Sequence, residues 1–397
     1  MTRHPKNNNL LVMQSGGPTP VINRSLYGLV REAFAGPSFG DVYGAMHGME
    51  GILRGDLKDL RETSKAEWER IANTPAAALG STRRKLQPDD VPIILDVLKK
   101  NGIGTWLIIG GNDSAETGHS VALAAAGAGQ PLTVVNVPKT IDNDLVLMDH
   151  CPGYGSAARF IALATMGAGR DAESMGIAAP ITIIEVMGRD AGWLAAASAL
   201  ARRDERDAPH VIGLPEVPID EDRFLGLIEN AYSRYGFAVA VIAENTRGVN
   251  GVLGGDDEPW YVDDFGHPYY DGPGRHLAAQ ISKRLGVRAR YEKPGTIQRS
   301  MMACVSRTDA DEAEMAGRAA VQAAIAGESD VIVTLERSLG EGYACTTGTA
   351  PLADVGGKVK VMPEDFLARD EYYVTDKFVE YARPLIGGSL PRYGRVR

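Results

Sequence analysis

Three cysteines among 397 residues are too few and too scattered for a disulfide framework or a zinc site. Cys151, Cys304 and Cys345 show no metal-ligand spacing, and thiols used this sparingly point to a reducing, cytoplasmic compartment. No apolar run approaches the ~20 residues that span a bilayer, and the polar start from Met1 to Leu10 has no secretory signal pattern. Excess positive charge is missing too. The formal net charge is -9, whereas a surface that tracks nucleic acid needs clustered Lys and Arg. There is no internal repeat and no low-complexity tract. With 44% apolar and 23% charged residues, wholesale disorder is excluded as well. What remains is a water-soluble globular chain, long enough for about two domains of ~150–200 residues.

Glycine, by contrast, is abundant: 46 residues, well above the ~7% of average composition. The glycines collect at short turns after apolar runs. Leu10–Met13 ends at Ser15-Gly16-Gly17, with a helical pattern from Val21. Trp106–Ile109 ends at Gly110-Gly111, with a helix expected over Ser114–Ala126. Leu132–Val137 ends at Pro138, and Ile181–Val186 ends at Gly188, followed by a helical Gly192–Leu200. β-Branched runs alternating with Ala-rich stretches are the mark of parallel sheets with crossover helices, so the fold class is α/β. Ligands in such sheets sit at the carboxyl ends of strands, where these turns fall. A second α/β segment is expected after Cys151, continuing through Phe237–Glu244 and Val331–Leu335. The stretch Val252–Pro273, with Trp260, Tyr261, Tyr269 and Tyr270, reads as a long ordered loop or lid, or else a short exposed strand.

Glycine at a strand end lets backbone N–H groups approach an anion, and a following helix N-terminus adds positive potential. Each Gly-Gly is also compatible with a plain strand-to-helix turn. None fits the dinucleotide fingerprint or the Walker pattern. The most loaded segment is Pro138-Lys139-Thr140-Ile141-Asp142-Asn143-Asp144, directly after a buried-looking strand. If extended, it projects Asp142 and Asp144 to one face. Two like charges there need a cation or a metal, or one carboxyl must rise in pKa. A phosphate or metal site is the reading, against a solvated acidic turn. Arg83, Arg189, Arg290 and Arg299 are surface arginines taken singly; gathered in one cleft they would neutralise a phosphorylated substrate and a phosphoryl donor. His119 and His150 read as structural, Glu216 as a turn or interface residue, the Met301-Met302 pair as core, and the basic Arg392–Arg397 run as too short to imply nucleic acid.

Taken together, Gly16-Gly17, Gly80-Ser-Thr-Arg83, Gly110-Gly-Asn-Asp-Ser114, Pro138 to Asp144, Met187-Gly-Arg-Asp-Ala-Gly-Trp193 and Ile297-Gln-Arg299 resemble the phosphofructokinase family, collinearly from about Leu10 to Leu385. The resemblance implies two α/β domains, parallel-rich sheets flanked by helices, and an active site between them. Residues 1–150 would hold the phosphoryl donor and magnesium. Residues 151–397 would hold the sugar phosphate, with the C-terminal part free to pack back on the first domain. The implied reaction passes a phosphoryl group to the 1-hydroxyl of fructose 6-phosphate.

Carried over by motif, Asp142 is the general base, acting with Lys139 and Arg189 as the catalytic group. Thr140, Ile141 and Asp144 lie with it on the same loop. Met187, Gly188 and Arg189 form the sugar-phosphate loop, and Glu244 bonds sugar hydroxyls. Arg290 and the Thr296–Arg299 stretch form the 6-phosphate clamp, partly lent by a neighbouring subunit, which implies a homodimer or homotetramer. Donor contacts fall to Gly16, Gly17, Arg83, Gly111, Asp113, Ser114 and Lys139. Asn112 stands where the family usually has a magnesium-binding aspartate. Asp113 and Lys139 resemble the pyrophosphate-using members: the aspartate obstructs a nucleotide, and the lysine supplies charge to pyrophosphate. The expected donor is therefore pyrophosphate in a near-reversible reaction. An ATP-dependent enzyme is the alternative, and a catalytically inactive phosphosugar-binding regulatory protein the second. Thr296 in place of a histidine and Pro180 in place of an arginine leave sedoheptulose 7-phosphate as a second acceptor.

Overall fold

The computed structural model describes residues 8–254, 259, 261–262, 268–269, 272–338, 340 and 342–396. The strands run in chain order as β1 (Asn9–Gln14), β2 (Val42–Ala45), β3 (Leu57–Asp59), β4 (Ile103–Gly110) and β5 (Thr133–Pro138). Then come β6 (Ile181–Val186), β7 (Val211–Gly213), β8 (Ala238–Ala243), β9 (Tyr261–Val262), β10 (Pro268–Tyr269) and β11 (Ala289–Glu292). Last are β12 (Val331–Arg337), β13 (Cys345–Pro351), β14 (Leu367–Ala368) and β15 (Tyr373–Val374).

Two sheets carry the architecture. The first is seven-stranded in the order β13-β12-β5-β4-β1-β2-β3, parallel from β12 through β2, with antiparallel β13 and β3 at its edges. The second is a parallel four-stranded sheet, β11-β6-β8-β7. Both faces of the first sheet are covered, which explains its unbroken apolar strands. Leu10, Val12, Leu107, Ile109, Val135 and Val137 enter one core, and the alternate residues Leu11, Met13, Trp106, Ile108 and Val134 enter another. Among the described residues no helix is long and apolar enough to cross a membrane.

The expected elements form close to their anticipated bounds, with helices at Ile22–Ala35 and Asn112–Gly127 and a shorter one at Trp193–Ala197 that runs into a 3-10 turn. One strand falls elsewhere. Val331–Arg337, expected with the second segment, joins the first sheet beside β5, pairing Val331 with Val135. The helix Arg307–Ile325 before it crosses Ile22–Ala35 at backbone contact: a Cβ on Gly28 would collide with the Glu314 carbonyl, and one on Gly317 with the Ser25 carbonyl. That crossing fixes which sheet the strand can reach.

Met301 is exposed rather than core. The Val252–Pro273 stretch holds the short antiparallel pair β9–β10, with Tyr261 and Val262 about half exposed; Trp260 and Tyr270 lie outside the described residues.

Candidate active site

Five turns leave the carboxyl ends of β1, β4, β5, β6 and β8 and line one cleft. The first sheet contributes Gly16–Pro18, Gly111–Ser114, Lys139–Asp142 and Asp144; the second contributes Met187–Ala191 and Glu244. Arg83, Arg299, Gly357 and Val359 complete the lining. Arg83 comes in because its segment is stitched to the β1 turn: Gly16 N–H donates to the Thr82 carbonyl at 2.9 Å, and Ser81 Oγ donates to the Gly16 carbonyl at 2.6 Å.

The floor of the first wall is cationic. Lys139 is buried, and its Nζ donates to the Gly17 carbonyl at 2.9 Å. Burial, then the Arg299 charge, lower its pKa to about 8. A Cβ on Gly17 would collide with Arg299 Nη1 and stand 3.9 Å from Arg83 Nη2. Arg299, Arg83 and Lys139 therefore converge on one glycine turn.

Beside them lies the acidic loop. It is a turn and not an extension of β5, because Asn143 adopts the left-handed φ of 57°. Asn143 is held there by donating from Nδ2 to Tyr381 Oη at 2.9 Å and accepting the Cys151 N–H at 3.0 Å. Asp142 and Asp144 still reach the same cleft. Burial, then the Asp144 charge, push the Asp142 carboxyl up to about 7, against the pull of Arg189 and Lys139. Asp144 is raised mainly by burial, and Glu244 likewise, with Lys293 opposing the shift on Glu244. Arg189 itself sits at a φ of 47°, a strained value of the kind concentrated at functional sites.

The phosphofructokinase family model matches residues 9–311. The chain belongs to the phosphofructokinase family. It is 39% identical over 394 residues to the pyrophosphate–fructose 6-phosphate 1-phosphotransferase of Rhodospirillum rubrum, covering 98% of this chain and 96% of the relative. The Xanthomonas campestris protein of the same name is 39% identical over 391 residues, covering 97% and 93%. Among solved structures, the pyrophosphate-dependent phosphofructokinase of Nitrosospira multiformis superposes with a TM-score of 0.89 at 34% identity, covering 98% of this chain and 94% of that one.

The cleft of this chain gathers Gly16, Gly17, Arg83, Gly111, Asn112, Asp113, Ser114 and Lys139 with Thr140, Ile141, Asp142, Asp144, Met187, Gly188, Arg189, Glu244 and Arg299. Two expected clamp residues do not line it. Arg290 is ion-paired with Asp171, and Thr296 is exposed on the 3-10 turn Gly295–Arg299. That turn is anchored by the buried Gln298, whose Oε1 accepts the Met187 N–H at 3.2 Å, and of the stretch Arg299 lines the cleft. Its guanidinium lies with the cations of the first wall, not apart from them.

Sequence reasoning also missed Pro18, Asp190, Ala191, Gly357 and Val359. Asp190 and Ala191 were signalled by the Met187–Trp193 motif. Gly357 and Val359 carry no local signal.

A magnesium ion suits this donor set. Asn112 Oδ1 and Asp142 Oδ1 are buried without a hydrogen-bond partner among the described residues, while Asn112 Nδ2 donates to Asp144 Oδ2 at 3.2 Å. Orphaned oxygens among carboxylates are what a hard divalent cation takes. A second cluster, His150, Glu312 and Cys345, brings ligand atoms together but fits a metal poorly. His150 Nδ1 bonds Asp149 at 2.8 Å and Nε2 bonds Glu312 at 2.7 Å. Burial opposes the charge on His150 and the two carboxylates favour it, raising its pKa, and both ring nitrogens are already engaged by Asp149 and Glu312. Glu216 accepts the N–H groups of Gly192 and Met362.

Proposed function

We propose that this chain transfers a phosphoryl group from pyrophosphate to the 1-hydroxyl of fructose 6-phosphate, giving fructose 1,6-bisphosphate and phosphate, and runs readily in reverse. The observation that carries the donor is the convergence of Lys139, Arg83 and Arg299 on the Gly16–Gly17 turn, in the cleft that also holds Asp113. Pyrophosphate brings high charge and no nucleoside to hold, so a compact cation cluster suits it, while the Asp113 carboxylate disfavours a nucleotide. The pyrophosphate-using relatives named above support the same reading.

In this mechanism Asp142 accepts the proton of the 1-hydroxyl as that oxygen bonds to the nearer phosphorus. The bridging P–O bond breaks, and phosphate leaves toward Lys139, Arg83 and Arg299. A carboxyl raised to about 7 is well placed for such a proton, being ionised near neutrality yet basic enough to take it. Arg189 faces the negative charge that develops on the transferred group. Asn112 Oδ1, with Asp113 and Asp144 nearby, would hold magnesium, which supplies further charge neutralisation on the pyrophosphate oxygens.

The donor half of the site rests on residues 1–150 with Arg299 added from the later chain, and the sugar half on residues 151–397 with Asp142 added from the earlier chain. Arg290 and Thr296, which lie away from this cleft, are assigned to the 6-phosphate clamp of a neighbouring copy in a cytoplasmic homodimer or homotetramer. Initial rates with magnesium pyrophosphate and with magnesium ATP, each against fructose 6-phosphate and sedoheptulose 7-phosphate, test the assignment. Turnover with pyrophosphate and fructose 6-phosphate is expected; turnover with ATP alone would overturn it.

A further inference from the structure

Residues 358–363 have no regular secondary structure, so their backbone groups must find partners elsewhere. They find them on both walls of the cleft. Lys360 N–H donates to the Asp144 carbonyl at 2.7 Å, on the acidic loop after β5. The Lys360 carbonyl accepts Trp193 Nε1–H at 3.0 Å, at the end of the Arg189 loop after β6. Farther on, Met362 N–H donates to Glu216 Oε1 at 3.1 Å, and the same carboxylate accepts the Gly192 N–H at 3.0 Å.

The Lys360 side chain repeats this bridging. Its Nζ donates to the carbonyls of Asp149 at 2.9 Å and Met148 at 3.2 Å, and lies 5.0 Å from the centroid of the Trp193 ring. The ammonium thus sits on carbonyl dipoles, the Asn143 Oδ1 at 3.5 Å and an aromatic face, and among the described residues no carboxylate oxygen bonds to it. An ammonium held this way fixes the direction of two carbonyls at once. Those carbonyls close the loop that begins with Asp142 and Asp144. Trp193 closes the loop that begins with Met187 and Arg189.

We propose that Lys360 is a positioning residue for phosphoryl transfer, pinning the Asp142 loop to the Arg189 loop through the strap over residues 358–363. This inference rests on the phosphotransferase reading for its kinetic consequence, and on the hydrogen bonds alone for its structural one. A proton acceptor and a cation that act on the same transferred group must hold their separation, and a misplacement of about 1 Å suffices to lose about 100-fold in rate. Lys360 touches neither substrate nor reacting atoms; it acts through the two loops.

The test compares Lys360→Met, Lys360→Arg and the parent. Lys360→Met is expected to lower kcat by about 10- to 100-fold while leaving both KM values within about threefold, because the binding groups stay and their alignment is lost. Lys360→Arg, which can still donate to the carbonyls and stack on Trp193, recovers most of the rate. Amide hydrogen exchange supplies a readout that needs no turnover: faster exchange is expected in both 142–149 and 189–193 in the methionine variant. If that variant does not fold, Trp193→Phe, which removes the indole donor and keeps a ring, is expected to accelerate exchange in the same two segments. Unchanged kcat, a rise in KM alone, an arginine variant no better than methionine, or exchange confined to one loop each overturns the proposal. A parent protein active only with ATP would overturn the donor assignment and leave the exchange result standing.

Discussion

The pH dependence of kcat/KM follows from two buried groups with opposed shifts. Asp142 must be ionised to take a proton, and its carboxyl is raised to about 7, so activity is lost as pH falls below that value. Lys139 must be charged to hold the donor, and its pKa is lowered to about 8, so activity is lost as pH rises above that value. Asp144 and Glu244, whose own carboxyls are raised mainly by burial, face the same carboxyl, as does Arg189. Two limbs one unit apart leave about 60% of the free protein in the competent form at pH 7.5, and about 10% at pH 6 or pH 9. The profile measured with pyrophosphate should therefore be a narrow bell. Bound pyrophosphate favours the charged lysine, so the alkaline limb moves upward in kcat relative to kcat/KM. Lys139→Arg separates protein from substrate ionisation: arginine stays charged, so the alkaline limb should move out of range while the acid limb remains. A profile flat from pH 6 to 9, or an alkaline limb that survives Lys139→Arg unchanged, would refute the reasoning.

Arg299→Met should raise KM for pyrophosphate by about 10- to 100-fold, the loss of a charge-assisted contact, and raise KM for the sugar phosphate much less; the reverse pattern would return Arg299 to the 6-phosphate clamp. Asn112→Asp removes the amide that donates to Asp144 and adds a charge to the pair, so it should shift the magnesium concentration needed for half-maximal rate; an unchanged magnesium titration would make this position irrelevant to the metal.

Much of the cleft was legible because its parts are local. An apolar run ended by glycine marks both a buried strand and the turn that leaves it, and Gly16, Gly111 and Gly188 all fall on such turns. The pair Asp142 and Asp144 was also readable as an electrostatic problem, although the solution is a left-handed Asn143 and not an extended strand. What escaped depends on long-range packing. Nothing in Val331–Arg337 says which sheet it joins; the Gly28–Gly317 helix crossing decides that. Nothing near Lys360 marks it, since its partners lie on loops far away in sequence. The side of the cleft that Arg299 serves depends on the reach of a side chain from a turn anchored by Gln298.

The position of β12 beside β5 also bears on how the chain can fold. The second sheet is inserted between two strands that are neighbours in the first, so the first sheet closes only after most of the polypeptide has left the ribosome. Until then β5 presents an open edge at Val135 and Asn136, and Gly28 waits for the helix that will cover it. Pairings this distant are slow to form and exposed to misassociation while they wait. A fragment ending at residue 150 carries the glycine turns of the first wall on an unfinished sheet. The acidic loop after β5 is thus secured last, by chain made long after its own.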